Sequence, residues 1–217
     1  LTYQMHHNNK FVILISGPTA TGKSDFALQL GTKLPIEIVN ADIGSFYTPL
    51  TIGTAKPDWR EETTPHHFFD IVDTPENFTA PLFREKLELL IQEIWSRGNI
   101  PVVVGGSTLY IQSFFYKNHE LTPPDQQIID DLESQSAESL WQQLSAVDFV
   151  RAGQIDENDH YRLVRALAIW HTQKIQPSEF VPQFAPLAPF IFMTLTRDRD
   201  QLYTMINARV EVMMQDG

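Results

Sequence analysis

The 217-residue chain has no cysteine. That excludes a disulfide framework and any thiolate-ligated metal, and it suits a reducing compartment such as the cytosol. Long apolar runs are missing as well: the longest, such as residues 11–15, contain five consecutive apolar residues, against the roughly 20 that a membrane-crossing helix needs. The first ten residues, LTYQMHHNNK, hold no apolar stretch of the kind a secretory leader carries. A cytoplasmic location without a membrane partner is therefore expected. Basic charge is scarce too, with 16 Lys and Arg against 27 Asp and Glu and a net charge of −11, which argues against a broad polyanion-binding surface. The deficit is local, however: residues 118–190 hold 4 basic and 11 acidic groups, while residues 1–117 hold 9 and 12 and residues 191–217 hold 3 and 4. Any nucleic acid must meet a local basic patch or a site selected by shape.

What the chain does contain is a strand-to-helix rhythm. FVILIS at 11–16 is an apolar run followed by a helical pattern with Phe26, Ala27, Leu30 and Leu34 on one face. IEIVNAD at 36–42 reads as a second strand ending at Asp42, and a loop of mixed character extends to about residue 78. Thr79 can cap a helix through LFREKLELLIQEIW, which Gly98 and Pro101 stop before the buried strand IPVVVGG. Three such units predict an open parallel α/β sheet flanked by helices, with ligands at the carboxyl edge of its strands. From residue 118 the texture turns helical: Thr122-Pro123, Ser136 and Asn158-Asp159 can each open a helix, and no strand intervenes. A proline-rich connection then leads to FIFMTLTR, expected to rejoin the sheet, and to a helix marked by Leu202, Ile206, Val210 and Met213, expected to be core packing. Expected domains are a P-loop α/β core at 1–117, a helical insertion at 118–189, and a return strand and helix at 190–217.

The sharpest motif is GPTATGKS at 17–24, the pattern G-x-x-x-x-G-K-[ST] between an apolar strand and an amphipathic helix. Backbone amides of such a loop point inward and, with the positive end of the following helix, form a phosphate cradle. Lys23 adds a point charge and Ser24 a hydroxyl suited to Mg²⁺. The loop recognises a phosphate chain, whatever molecule carries it. Asp42, at a strand end near this edge, can hold a metal, act as a general base, or simply cap the next turn. GGSTLY at 105–110 puts two glycines and the hydroxyls of Ser107 and Thr108 at a third strand end; a plain turn capped by Thr108 would need fewer special residues. His66-His67 is a poor metal pair because adjacent side chains diverge. Arg162 and Arg165 share a helix face, suited either to a polyanion or to nearby acids such as Asp159. Arg199 and Arg209 flank the last helix and are candidate stabilisers of a leaving group.

Together these residues resemble the tRNA dimethylallyltransferase (isopentenyl-tRNA transferase) family. The resemblance rests on GPTATGKS, on Ala41-Asp42 followed by Tyr47, on IGTAKP at 52–57, PHHFFDI at 65–71, GGSTLY, NDHYRLVRAL at 158–167, and R-x-x-L-Y-x-x-I-x-x-R from Arg199 to Arg209. It implies a P-loop NTPase-like core with a helical tRNA-binding insert. It also implies transfer of the dimethylallyl group of dimethylallyl diphosphate to N6 of the adenosine 3′ of the anticodon, tRNA position 37. Gly17, Thr19, Ala20, Thr21, Gly22, Lys23 and Ser24 would bind the diphosphate, with Mg²⁺ at Ser24. Asp42 would be the base, Ser107 and Arg199 would serve the departing diphosphate, and Arg162 and Arg165 would contact the anticodon stem-loop, in a protein expected to be a monomer. Departures from the family pattern are Ile43, Gly44 and Ser45 where D-S-x-Q is usual, Ser107 for Thr, Met205 for Arg and Ala168 for Glu. The family's C-terminal helices are expected to be missing after MMQDG. A P-loop kinase for a small metabolite is the competing reading. A nucleotide-driven switch is weaker, since N-K-x-D is absent and Glu76 follows Asp73-Thr74-Pro75 where a GTPase has Gly.

Overall fold

Short apolar strands, buried on both faces, organise the centre of the chain. In the computed structural model, which describes residues 10–54, 56–73, 76–117 and 123–216, the strands are β1 (Val12–Ser16), β2 (Ile36–Asn40), β3 (His66–His67), β4 (Ile100–Gly105), β5 (Tyr116–Lys117), β6 (Gln183–Phe184) and β7 (Phe190–Thr194). Five of them form a parallel sheet in the order β3-β2-β4-β1-β7. The helices are α1 (Lys23–Gly31), α2 (Ile43–Phe46), α3 (Ala80–Ser96), α4 (Thr108–Phe115), α5 (Gln126–Glu133), α6 (Ala137–Val147), α7 (Phe149–Ala152), α8 (His160–Gln173) and α9 (Arg199–Asp216).

Alternation along the strands divides the core in two. Val12, Leu14, Val39, Ala41 and Val103 pack with Phe83, Leu87, Ile91 and Ile94 of α3 and with Ile111 and Phe114 of α4. Ile13, Ile15, Ile36, Ile38, Val102 and Val104 face the other way, toward Ala27 of α1. Because helices cover both faces, the strands read as unbroken apolar runs. On the α3 side Phe46, Phe78, Phe83 and Tyr110 form an edge-on aromatic cluster, with Phe46 and Phe78 centroids 4.8 Å apart. Thr79 caps α3, accepting from Leu82 N at 3.4 Å.

Three elements interrupt the loop expected between residues 42 and 78, one of them a 3-10 turn at Ile52–Thr54. Asp42 caps α2, a single turn, and His66–His67 pairs in parallel with Ile38 and Val39 of β2. A two-residue polar edge strand has no apolar alternation to announce it. Further on, Ser107 rather than Thr108 occupies the N-cap of α4.

By contacts the described residues divide into two compact units, Leu1–Tyr116 with Phe184–Gly217, and Lys117–Gln183. In the first, Arg84 of α3 spends its guanidinium on backbone carbonyls. Nη1 donates to Ser113, Phe114 and Tyr116 at 2.6, 3.0 and 3.3 Å, and Nη2 donates to Ala185 at 2.6 Å. It thereby satisfies carbonyls at the end of α4 that have no partner in the helix. The second unit has its own core of Leu132, Leu140, Leu144, Leu163 and Leu167. Ser136 and Asp159 cap α6 and α8 through Ser139 N and Arg162 N. Thr122 lies outside the described residues; Asp125 caps α5, accepting from Gln127 N at 3.0 Å.

At the sheet's edge β7 pairs with β1, yet Phe190, Ile191 and Phe192 are exposed. The stripe expected to pack α9 into the core does not do so: Leu202, Ile206 and Met213 are half-buried and Val210 is exposed.

Candidate functional site

The loop between β1 and α1 is shaped by backbone that side chains resist. Gly17 has φ +144°, and a Cβ there would collide with the carbonyl oxygen of Leu195; Gly22, the N-cap of α1, has φ +85°. Ala20 also adopts positive φ, at 65°, while Thr21 Oγ1 donates to Pro18 O at 2.9 Å across the loop. The first bond of α1 runs from Phe26 N to Gly22 O at 3.0 Å, so the amides before it stand free of the helix, as an anion cradle requires. Lys23 folds back over the loop, donating from Nζ to Gly17 O at 2.9 Å and Pro18 O at 2.7 Å. Burial lowers the Lys23 pKa; Asp42 opposes that shift and Arg209 adds to it.

Asp42 follows β2 at the same edge. Its Oδ1 accepts from Gly44 N at 3.4 Å. Its Oδ2 and the Lys23 ammonium both lie within 4 Å of the point a Cβ on Gly106 would occupy, at 3.9 and 3.8 Å. Both groups therefore come within van der Waals reach of one point beside Gly106. Gly105 is tighter still, since a Cβ there would meet the backbone of Ala41. Ser107 Oγ accepts from Ile43 N at 3.2 Å, which leaves its own proton free to donate.

A cavity of about 370 Å³ opens here, lined by Thr19, Ala20, Gly22, Lys23 and Ser24 of the loop, by Asn40 and Asp42, and by Thr54, His66, Phe69, Met205 and Arg209. Leu28, Ile38 and Val104 add an apolar wall. Of the sequence-marked residues, Thr19, Ala20, Gly22, Lys23, Ser24 and Asp42 therefore meet in one place, whereas Gly17, Thr21 and Ser107 are not among the lining residues. Arg199 is elsewhere: its Nε and Nη2 donate to Tyr203 Oη at 3.2 and 3.0 Å, and it does not line the cavity. Arg209, ten residues on, does line it, and reaches Thr54 O at 3.5 Å. The sequence points to Arg199, not Arg209, for the departing diphosphate. Sequence reading missed His66 and Asn40 as lining residues; burial lowers the pKa of His66, whose Nδ1 sits 2.7 Å from Thr64 O. In the second unit Arg162 pairs with Asp159 at 3.2 Å, and Arg165 donates to Tyr161 Oη at 2.9 Å beside that exposed ring.

The cavity's outer wall is tied down by IGTAKP and PHHFFDI acting on each other. Lys56, 5% exposed, pairs with Asp70 and donates to Tyr47 O at 2.8 Å. Asp70 also takes Arg60 at 2.9 Å and Trp59 Nε1 at 3.4 Å, and Trp59 stacks on Phe69. Ser24, Asp25 and Asp42 offer oxygen donors around the cavity, a set suited to a small hard cation that keeps waters and substrate phosphates in its shell. Among the described residues no group of three or more His, Cys, Asp or Glu forms a metal cage.

A family model described as IPP transferase matches residues 45–217. The chain belongs to the IPP transferase family. The chain is 39% identical to the tRNA dimethylallyltransferase of Pseudothermotoga lettingae over 95% of its own length and 67% of the relative's. Against the Aquifex aeolicus protein of the same name the values are 37%, 95% and 69%. The chain thus spans about two thirds of these relatives. Among solved structures it is similar to a eukaryotic dimethylallyltransferase acting on tRNA, with TM-score 0.81, 30% identity, and coverage of 96% of this chain and 54% of that one. A full-length tRNA isopentenylpyrophosphate transferase from Bacillus halodurans gives 0.62, 31%, 96% and 67%. Among the described residues no helix of this family member is long and apolar enough to cross a membrane.

Proposed function

We propose that the protein transfers the dimethylallyl group of dimethylallyl diphosphate to N6 of the adenosine 3′ of the tRNA anticodon, position 37, and releases diphosphate. The observation that carries this reading is the cavity that the Asp42 carboxylate and the Lys23 ammonium line together, lying 3.9 and 3.8 Å from one point beside Gly106. An exocyclic adenine amine is a weak nucleophile, so a base must accept its proton as it attacks the allylic carbon. Asp42 Oδ2 is the acceptor. As the new C–N bond forms, the C–O bond to the diphosphate breaks, and charge gathers on the leaving oxygens. Lys23, the amides of residues 19–24, the Ser107 hydroxyl and Arg209 are the donors for that charge. Arg209 takes the part first assigned to Arg199, because it lines the cavity and Arg199 does not.

Ser24, with Asp25 or Asp42, would hold Mg²⁺, which when bound neutralises the diphosphate. Leu28, Ile38, Phe69 and Val104 offer an apolar wall for the prenyl chain and keep water from the allylic centre. A base stacked in RNA must turn outward to reach such a cavity. The unit Lys117–Gln183 is the tRNA-gripping part in this reading, and Arg162, Arg165 and the exposed Tyr161 are its contacts with the anticodon stem-loop.

The test is transfer of labelled dimethylallyl diphosphate, with Mg²⁺, to a tRNA carrying adenosine at position 37. Label in the tRNA is expected, and allyl diphosphate should compete with the donor far better than ATP. Phosphoryl transfer from ATP without prenyl transfer would overturn the reading in favour of a kinase.

A further inference from the structure

We propose that Asn40 is the positioning residue that sets the orientation of the Asp42 carboxylate. The inference rests on the prenyl-transfer reading for what Asp42 does, and on hydrogen bonding for how Asp42 is held. Asn40 is the last residue of β2 and only 4% exposed. Its Oδ1 accepts from Asp42 N at 2.9 Å, and its Nδ2 donates to Asp42 O at 3.0 Å. One side chain therefore grips the peptide groups on both sides of the Asp42 Cα, and fixes the direction in which the Asp42 side chain leaves the backbone. A second bond from Nδ2 reaches Phe68 O at 2.9 Å.

That third contact widens the role. Phe68 has φ +63° in the turn between His66 and Phe69, both of which line the cavity. The same amide thus holds the backbone of the base and that of a turn between two lining residues. Two carbonyls on one side and one N–H on the other admit a single orientation of the amide. Aspartate at 40 would lose both donated bonds. Alanine would lose all three. Serine could still accept from the amide two residues on, as hydroxyls do in the turn that Asn makes here.

The strand beneath does not depend on these bonds. Ala41 N donates to Val104 O at 2.8 Å, and the β2–β4 register runs from Ile36 to Asn40. A local test is therefore possible. In the full chain, Asn40→Ala is expected to lower kcat for prenyl transfer at least about tenfold while KM for dimethylallyl diphosphate stays within about threefold, since a small misplacement of a reacting group is felt in the chemical step. Asn40→Ser should recover part of kcat. Independently of activity, amide hydrogen exchange read by NMR should speed up at Asp42 by at least about tenfold in Asn40→Ala and be partly restored in Asn40→Ser, with Ala41 still protected. Unchanged exchange at Asp42 would overturn the proposal. So would an unchanged kcat in an active protein, or a loss of kcat, donor binding and Ala41 protection together. If the wild-type chain transfers no prenyl group, the functional reading fails, and the exchange measurement still decides what Asn40 does.

Discussion

The cavity has two kinds of wall. The ends of β1, β2 and β4 are anchored in a core where Val12, Leu14, Val39 and Val103 are fully buried. Helix α9, which brings Met205 and Arg209 to the same cavity, has no buried residue among those described. The difference teaches that the proposed base follows directly from a buried strand and the lysine opens the helix that the next loop leads into, while Arg209 rides on an element with little packing of its own. Proton transfer tolerates sub-ångström error badly, whereas a guanidinium on a long side chain can follow a diphosphate. The division of labour fits the chemistry.

Four experiments would break or sharpen that contrast. Asp42→Ala should lower kcat by at least about 100-fold with donor binding kept, measured by transfer assay and by titration of dimethylallyl diphosphate; full activity would end the base assignment. Next in size, Phe83→Ala in the aromatic cluster should destabilise the chain by about 3–5 kcal/mol, whereas Val212→Thr on α9, where Val212 is 56% exposed, should change stability by less than about 0.5 kcal/mol. Similar losses from both in denaturant titrations would erase the distinction.

The third experiment concerns acid. Glu37, within β2, binds Arg97 through two hydrogen bonds of 2.8 and 2.7 Å, Asn99 at 2.8 Å and His67 at 2.6 Å. The Arg97 bonds, against the cost of burial, bring its pKa from 4.5 down to about 2. A carboxylate whose folded pKa is depressed stabilises the fold above its unfolded pKa and ceases to do so as pH falls through the folded value. Roughly 3 kcal/mol should therefore be lost between about pH 4.5 and 2, and Glu37→Gln should flatten that part of the curve. Smallest is Arg209→Ala, expected to lower kcat/KM about tenfold, with Arg199→Ala weaker in the same assay. The reverse order would return the diphosphate to Arg199.

Much of this was legible in the residues. Strands β1, β2 and β4 are short apolar runs, and Thr79, Ser136 and Asp159 are side chains that cap in the only way their neighbours permit. GPTATGKS announced the shape of its loop because Gly17 and Gly22 answer a backbone demand. β3 was illegible because His66 and His67 are held by pairing, and His67 also by Glu37, neither of which has a period. The choice between Arg199 and Arg209 was illegible for another reason: which arginine turns inward depends on how α9 meets the 52–54 turn, a tertiary fact. Asn40 passed as an ordinary strand end, although an Asn two residues before an Asp was the available signal.

Arg84 has an implication for how such a chain can change. One guanidinium holds carbonyls at Tyr116 in the outgoing strand β5 and at Ala185 just past the returning strand β6, and the Tyr116 and Phe184 rings stand 5.7 Å apart. For the sheet, everything between is a detour that starts and finishes at one doorway. Segments of other lengths could be threaded through that doorway without moving a strand. Arg84 is thus a gatepost for evolution and for the protein engineer, allowing the segment between to be exchanged while the sheet stays in place.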